Sequence, residues 1–216
     1  MSAFGHGPHT MRPTRIPLFP LELVLFPGMP LPLHIFEPRY RIMLARCINE
    51  KIEFGIILAT GTELAKIGCT AEIVEKLKEY PDGRVDILCE GRALFRLIDV
   101  LNEKEYQEAI ADYLPEDILP QDSEQETQLI ERFQLCHNLV FGQPWVESSR
   151  DPDLSLAFQM AARLPLELEA KQNLLEIPEE SARQAFLLLR INELLPQLAQ
   201  RQRLRKKAAG NGHGLN

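Results

Sequence analysis

Short apolar runs separated by turn-forming residues fill the first half of the chain, a pattern that is typical of β-strands. We predict strands over residues 54–59, 69–77, 85–89, 93–101 and 106–114. Pro81, Asp82 and Gly83 separate the second of these runs from the third. Because proline fixes φ at one corner of a turn and glycine accepts a positive φ at another, the pattern predicts a β-hairpin there. Residues 106–114 are the expected return partner of 93–101.

One helix is predicted among these strands. Ile42, Met43, Cys47 and Ile48 recur at nearly helical spacing within residues 38–51. Pro38 suits the first helical turn, where a missing N–H leaves no helical hydrogen bond unmade. Several short strands with a single helix indicate a small antiparallel barrel, closed or half closed.

The stretch at residues 17–40, PLFPLELVLFPGMPLPLHIFEPRY, combines strand-like apolar content with six prolines. Proline lacks a backbone N–H and is mostly excluded from central strands. We therefore predict short edge strands that end or turn at Pro20, Pro27 and Pro30, followed by a helix that starts at Pro38.

The second half of the chain has the apolar spacing of helices. Residues 115–122, PEDILPQD, hold two prolines and three acidic residues and mark a linker. We predict helices over residues 123–141, 154–161, 164–175 and 178–201. The predicted organisation is a disordered leader at 1–14, a β-barrel at 15–115, a helical subdomain at 122–200 and a basic flexible tail at 201–216.

Charge is unevenly distributed along the chain. The formal net charge is −7, yet residues 201–207 carry five basic residues and no acidic one. The remainder is therefore more acidic still and would repel a phosphate backbone. No apolar run reaches the roughly 20 residues that span a bilayer, and the first ten residues lack the apolar core of a secretory signal. These features predict a cytoplasmic protein that binds neither nucleic acid nor membrane.

Motifs of known reaction centres do not occur in the sequence, which has no GxxxxGK[ST], GxGxxG, GxSxG or HExxH. The four cysteines are widely spaced and form no CxxC, which predicts buried, reduced thiols rather than a metal site or disulfides. Asp151 and Asp153 precede an apolar helix, where a helix cap is favoured over a chelating pair. We expect no catalytic residue, no metal and no cofactor.

Several single residues also have structural interpretations. His34 alternates with Leu33 and Ile35, so in a strand it would point away from their apolar face. Trp145 follows Pro144 in a loop, and packing is favoured over an exposed recognition role. Because aromatic residues do not interleave the arginines as a stacking platform requires, we predict solvated or salt-bridged side chains for Arg39, Arg41, Arg46, Arg92 and Arg96.

Three sequence blocks carry a family resemblance: LFPL at 18–21, VLFPG at 24–28 and LPLHIFEPRY at 31–40. They resemble the start of the N-terminal domain of Lon-type ATP-dependent proteases, including stand-alone Lon N-domain proteins, and are more distantly similar to the corresponding domain of cereblon. The resemblance continues to about residue 198, through PDGR at 81–84, EGR at 90–92, LPL at 164–166 and EAKQ at 169–172. It implies an α+β fold, with a PUA-like pseudo-β-barrel that has one inserted helix and precedes a C-terminal helical bundle subdomain.

The resemblance also implies a function, since in Lon this region engages substrates. Proteolysis by Lon needs a Walker A loop and a serine–lysine dyad, and nothing in this sequence matches either. We therefore expect a non-catalytic module that binds unfolded or exposed polypeptide segments and is linked to a protease system. The candidate substrate-binding residues are Met29, Pro32, His34 and Phe36, in a segment where extended peptide could add to an open strand edge. The alternative is a PUA-like domain that binds a small molecule or RNA.

Overall fold

The computed structural model describes residues 15–115, 123–146 and 150–210. These residues form seven strands and five helices. In chain order the elements are β1 (Arg15–Leu21), β2 (Pro30–Ile35), α1 (Pro38–Glu50), β3 (Phe54–Thr60), β4 (Glu63–Leu64), β5 (Ile67–Glu79), β6 (Val85–Leu101), β7 (Glu108–Tyr113), α2 (Ser123–Phe141), α3 (Leu156–Ala161), α4 (Leu168–Glu176) and α5 (Glu180–Gly210). The predicted leader at 1–14 and most of the predicted linker lie outside the described residues.

The main sheet closes on itself. The strand order is β1-β7-β6-β5-β3, and β1 pairs with β3 as well as with β7. The β1–β3 pair is parallel, with Leu18 beside Gly55, whereas the prediction was an antiparallel barrel. A parallel pair needs a long crossover connection, and β2 with α1 supplies it between β1 and β3.

The predicted strand at 54–59, the helix at 38–51 and the hairpin around residues 80–84 are present in the structure. Gly83 has the expected positive φ, +85°. The predicted break after residue 89 is wrong, because β6 continues through Gly91. A Cβ atom at Gly91 would lie only 2.1 Å from the carbonyl oxygen of Phe26, so glycine is required by a close backbone approach inside the strand.

Of the four prolines predicted to end or begin elements, three do so, while Pro17 and Pro32 lie inside β1 and β2. Pro30 begins β2, Pro38 begins α1, and Pro27 precedes the positive-φ residue Gly28 in the turn between β1 and β2. Pro20 lies inside β1, which pairs on both sides and is not an edge strand. Proline is tolerated there because β1 pairs with β7 only over residues 15–17, so at Pro20 no described strand pairs with the side away from β3.

Four helices follow the sheet and share a hydrophobic core with it. The rings of Phe26 and Phe158 stack with centroids 5.1 Å apart, and the Gln172 side chain donates a 3.0 Å hydrogen bond to the carbonyl oxygen of Ile67. Trp145 is buried as predicted, with its ring edge-on to Phe133 at 5.3 Å. The helical half therefore packs on the barrel and covers part of its surface.

Two predictions for the helical half are wrong. The side chain of Ser155, and not Asp151 or Asp153, caps α3 by accepting a hydrogen bond from the Phe158 amide. Asp151 instead accepts a bond from the Asp153 amide. The last predicted helix, at 178–201, extends to Gly210 as α5, because arginine, lysine, leucine and alanine favour helix and no glycine interrupts α5 before Gly210.

Candidate functional site

Strand β2 presents the predicted site residues unequally. Pro32, His34 and Phe36 are exposed, whereas Met29 is partly buried against the core. Leu31 and Ile35 point inward, so the predicted orientation of His34 away from the apolar face is confirmed. Phe36, with 60% of its surface exposed, is among the most exposed apolar residues of the described chain.

His34 is fixed by residues of the neighbouring strand. It stands directly opposite Asp86 in the antiparallel β2–β6 pair, and its Nδ1 lies 2.5 Å from Asp86 Oδ1. The Tyr80 hydroxyl donates a 2.9 Å hydrogen bond to Asp86 Oδ2. The hydrogen bond from His34, and then that from Tyr80, hold the pKa of Asp86 below its ordinary value.

The His34 ring contacts two other aromatic rings. His34 stacks with Phe36 at a centroid distance of 6.2 Å and meets Tyr80 edge-on at 5.8 Å. We call His34, Phe36 and Tyr80 the aromatic surface. Met29 lies seven residues from Phe36, before β2 begins, so the structure does not bring it into this cluster. The four predicted residues thus divide between the two ends of β2.

The hairpin tip adds positive charge beside the aromatic surface. Lys78 Nζ lies 4.4 Å and Arg84 Cζ 4.9 Å from the centre of the Tyr80 ring. Arg41 of α1 donates a 2.9 Å hydrogen bond to the carbonyl oxygen of Asp82, which links the tip to the helix. In the sequence, residues 80–84 are recognisable only as a turn. Tyr80 and Arg84 flank this turn on opposite sides. That position in the predicted hairpin could have indicated that the two side chains share a surface.

The backbone of β2 offers few donors at its outer edge. The Gly91 amide bonds to the carbonyl oxygen of Met29, so odd-numbered residues of β2 direct their polar groups towards β6. The backbone polar groups of the even-numbered residues therefore point away from β6, and Pro30 and Pro32 have no N–H to offer on that side. Regular addition of a peptide strand along this edge would lose those hydrogen bonds.

The part of β5 beyond residue 71 also offers a poor edge for strand addition, because its pairing is irregular. Beyond residue 71 no described strand pairs with its outer side, but the β5–β6 register shifts between Ile73 and Glu75 and again between Lys76 and Lys78. Such bulges disturb the spacing of outward polar groups, which protects an edge from pairing. Ligand contacts on this side of the barrel would therefore come mainly from side chains.

The described residues contain no group of three or more metal-ligating side chains. All four cysteines are buried, as predicted. Burial raises the thiol pKa to about 12 for Cys47 and Cys89 and to about 11 for Cys136, so these three are poor nucleophiles at neutral pH. Among the described helices, none has the length and apolar content to span a membrane.

Four of the five arginines predicted to be solvated or salt-bridged form salt bridges, and Arg41 instead donates to the carbonyl oxygen of Asp82. Arg39 pairs with Glu37, Arg92 with Glu72 and Glu90, and Arg96 with Asp112 at 3.8 Å. Arg46 pairs with Glu50 and with Glu108. Acidic partners accompany these cations, so they do not form a surface of uncompensated positive charge.

The described residues form a closed sheet with one inserted helix, and the aromatic surface lies on the outside of it. The family model of the ATP-dependent protease La (LON) substrate-binding domain matches residues 15–193, and the chain belongs to this family. Lon protease of Escherichia coli K12 is 26% identical over 93% of the chain. Protein cereblon of Danio rerio is 33% identical over 49% of the chain.

Solved structures agree on the fold. The chain is similar to a Lon N-terminal domain protein from Xanthomonas campestris, with a TM-score of 0.63 and 23% identity over 81% of this chain and 97% of that one. The N-terminal domain of Mycobacterium avium complex Lon protease also gives a TM-score of 0.63, with 16% identity over 82% of this chain and 98% of that one. The match to the Escherichia coli enzyme covers 27% of that protein's length, and the cereblon match covers 26%.

Proposed function

We propose that this chain is a non-catalytic polypeptide-binding module, which recognises unfolded or exposed segments and works with a protease system. The observation that carries the proposal is the match of residues 15–193 to a substrate-binding domain family. The candidate contact residues remain Met29, Pro32, His34 and Phe36, and we add Tyr80. The four cysteines are buried thiols, which fits the reducing cytoplasm that we propose as the compartment of this chain.

The aromatic surface suits loose recognition of many sequences. Phe36 offers an exposed ring, while His34 and Tyr80 are held by Asp86 and need little ordering on binding. Aromatic rings supply large apolar contact area, and Lys78 and Arg84 can interact with peptide carbonyls or acidic side chains. Contacts of this kind do not require a regular strand edge, which the prolines of β2 disrupt.

The test is titration of the domain into fluorescently labelled casein, which is unfolded without denaturant. We expect a dissociation constant in the micromolar range, and about tenfold weaker binding for Phe36→Ser, since an aromatic contact is worth about 1.4 kcal/mol. Ile98→Ser is the matched control, because Ile98 is 59% exposed on the part of β6 that β2 does not reach. Its binding should stay within about twofold of wild type.

Two results would overturn the proposal. One is the absence of casein binding up to about 500 µM domain, which corresponds to less than about 5 kcal/mol of binding free energy. The other is preferential binding of single-stranded RNA with a steep loss of affinity between low and high salt, which is the behaviour of a phosphate-binding surface. If Phe36→Ser and Ile98→Ser changed the affinity for casein equally, the chain would still bind polypeptide, but the aromatic surface would not be the binding site.

A further inference from the structure

A surface groove lies on the barrel between the end of α1 and the part of β5 beyond residue 71. It has a volume of about 390 Å³. Residues 72–76 of β5 form one wall, and the last turn of α1 with the residues that follow it forms the other. Five strand residues extend over about 13 Å, so a ligand of five residues in extended conformation matches the length of the wall. We call this feature the α1–β5 groove.

The surface of the groove is largely apolar. The buried thiol of Cys47 lines it together with Ile48, which is 42% exposed, and Val74, which is 44% exposed. Ile52 and Ile73 line it as well and pack against the core with their other sides. The groove therefore suits a large aliphatic side chain of a ligand, which would be buried among branched side chains.

A bulge in β5 gives Val74 its position. Ile73 is opposite Cys89 of β6 and Glu75 is opposite Leu88, so Val74 is the extra residue. Regular alternation would place Ile73 and Val74 on opposite faces of the sheet. Both line the groove, because a bulge changes the direction of a side chain, and bulges of this kind are common next to functional sites.

One backbone position of β5 also opens into the groove. The amide and the carbonyl oxygen of Gly91 both bond to the segment before β2, so they point away from β5. Cys89, two residues earlier, has the same orientation, so the N–H and C=O groups of its partner Ile73 point away from β6. Because β3 pairs with β5 only as far as Ala71, no described strand binds these two groups. They are available to one residue of an extended ligand, while the bulges beyond them prevent regular strand addition.

The rim of the groove carries two charged side chains without partners. The ammonium group of Lys51 and the carboxylate of Glu75 form no hydrogen bond or ion pair in the part of the chain that the structure describes. The neighbouring Lys76, by contrast, pairs with Glu79 at 3.0 Å. Unpaired charges of opposite sign on the two walls are complementary to a ligand that has one acidic and one basic side chain.

The backbone of Lys51 is unusual as well. Its φ is +52°, and it is the only non-glycine residue with a positive φ among those that the structure describes. It ends α1 in the left-handed conformation, a position where glycine is preferred. Because a lysine costs stability there, its presence indicates a use for the ammonium group at the rim.

We propose that the α1–β5 groove is a second polypeptide-binding site, which takes an extended segment with a large aliphatic side chain between a basic and an acidic residue. The inference rests on the proposed function, polypeptide binding, and assigns to it a surface that shares no residue with the aromatic surface. Alternate residues of an extended segment point to the same side, so the sequence KTLTE presents its lysine, leucine and glutamate to the groove. A segment antiparallel to β5, as β3 is, meets Glu75 with its lysine and Lys51 with its glutamate.

NMR titration of the ¹⁵N-labelled full chain with the peptide GKTLTEG tests the proposal. The amide signals of Lys51, Ile73 and Glu75 should shift and saturate with a dissociation constant of about 0.1–1 mM, whereas that of Tyr80 should not move. The control peptide GKTSTEG lacks the leucine and should bind at least about tenfold more weakly. Absence of a saturable shift up to about 5 mM peptide, or shifts confined to the aromatic surface, would overturn the proposal.

Variants of the two surfaces separate this site from the aromatic surface. Val74→Asp should weaken binding of GKTLTEG at least about tenfold, because it places a charge against the leucine. Ile98→Asp, at an exposed apolar position of β6, is the matched control and should stay within about twofold of wild type. Phe36→Ser should also stay within about twofold, and an equal loss in Phe36→Ser and Val74→Asp would overturn the groove site. Casein binding without binding of GKTLTEG would overturn the groove site alone and leave the proposed function intact.

Charge exchange tests the two rim residues. Lys51→Glu should weaken binding of GKTLTEG about fivefold and bind GKTLTKG as wild type binds GKTLTEG, while Glu75→Lys should recover with GETLTEG. Lys51→Gly should weaken binding by a similar factor without lowering the midpoint of thermal unfolding, since glycine is favoured at this φ. Circular dichroism establishes that each variant is folded. Failure of both exchanged peptides to recover binding, or a loss of stability in Lys51→Gly that accompanies the loss of affinity, would overturn the role of these charges.

Discussion

His34 and Asp86 stand opposite each other across β2 and β6, with 2.5 Å between Nδ1 and Oδ1. This pair joins the proline-rich segment to the β5–β6 hairpin. Because Tyr80 binds the other oxygen of the same carboxylate, one acidic side chain fixes two rings of the aromatic surface. The surface thus depends on residues from three separate parts of the sequence.

The first prediction concerns the titration of Asp86. Replacement of His34 by Leu, which has no donor, removes the largest cause of the lowered pKa of Asp86, so that pKa should move up towards the ordinary aspartate value. A carboxyl group with a lowered pKa in the folded state adds stability above its unfolded pKa, which is lost as pH falls through the folded value. The free energy of unfolding should therefore fall less steeply as the pH is lowered for His34→Leu than for wild type. NMR titration of the Asp86 carboxyl carbon measures the shift, and an unchanged pKa would contradict it.

The sequence alone predicted the individual strands and helices better than it predicted the pairing and continuity of the strands. The turn at Pro81 and Gly83 and the helix at Pro38 depend on local chemistry, namely a fixed φ, a positive φ and a missing N–H. The parallel β1–β3 pair and the continuity of β6 through Gly91 depend on contacts between distant residues. A glycine is a turn former in a local reading, and only the position of the Phe26 carbonyl shows why one stands within β6.

The candidate site shows the same division. Alternation along β2 correctly placed His34 on the exposed side. Asp86 and Tyr80 were missed because cross-strand register, and not spacing along the chain, brings them to His34. The helix cap at Ser155 was missed because the preceding aspartates offered the same capping chemistry.

The second prediction concerns Glu108, which is almost fully buried and joins three cations. It accepts hydrogen bonds from Arg15, Arg46 and Lys104, at 2.6, 2.7 and 2.9 Å. Burial alone would raise the carboxyl pKa, but the hydrogen bonds from Lys104, Arg15 and Arg46 together outweigh it and lower the pKa to about 2. Since the three cations are partly exposed and screened by water, Glu108→Gln should cost about 2 kcal/mol of unfolding free energy at pH 7.

The pH dependence separates this effect from simple packing. The contribution of the ionised carboxylate is complete above the ordinary glutamate pKa and is lost as pH falls from there towards about 2. The difference in unfolding free energy between wild type and Glu108→Gln, measured by urea denaturation, should become smaller as the pH falls over that range. Glu103→Gln is the control, because Glu103 is exposed and contacts only Arg15 among these cations; it should change stability by less than about 0.5 kcal/mol. A pH-independent difference would show that packing, not charge, is responsible.

The third prediction concerns Arg183, a fully buried arginine that ties α5 to α3. Its Nε donates a 2.7 Å hydrogen bond to the carbonyl oxygen of Ile177, and its guanidinium lies 4.3 Å from the centre of the Phe158 ring. Nearby Glu180 accepts hydrogen bonds from Ser155 and from the Ala157 amide. Arg183→Met keeps the apolar volume but leaves the buried carboxylate without its cation, so unfolding free energy should fall by about 3 kcal/mol.

Chemical denaturation of Arg183→Met beside Arg203→Met measures this loss. Arg203 is exposed on the same helix, and its replacement should change the unfolding free energy by less than about 0.5 kcal/mol. Equal stabilities of the two variants would mean that the buried arginine contributes no net stability. The double variant Arg183→Met with Glu180→Gln should be more stable than Arg183→Met alone, because it removes the unpaired buried charge.

The fourth prediction concerns Gly91, whose hydrogen bonds hold the segment before β2. Its amide donates to the carbonyl oxygen of Met29 and its own carbonyl oxygen accepts from the Gly28 amide. Gly91→Ala would place a methyl group 2.1 Å from the backbone oxygen of Phe26, which no side-chain movement can relieve. Unfolding free energy should fall by about 3 kcal/mol. Gly61→Ala is the control, since its site is open and only the positive φ of 61° opposes a side chain; its cost should be about 1 kcal/mol. Because the displaced backbone carries Met29 and leads into β2, Gly91→Ala should also weaken casein binding, and unchanged binding by the folded variant would exclude this end of β2 from the site.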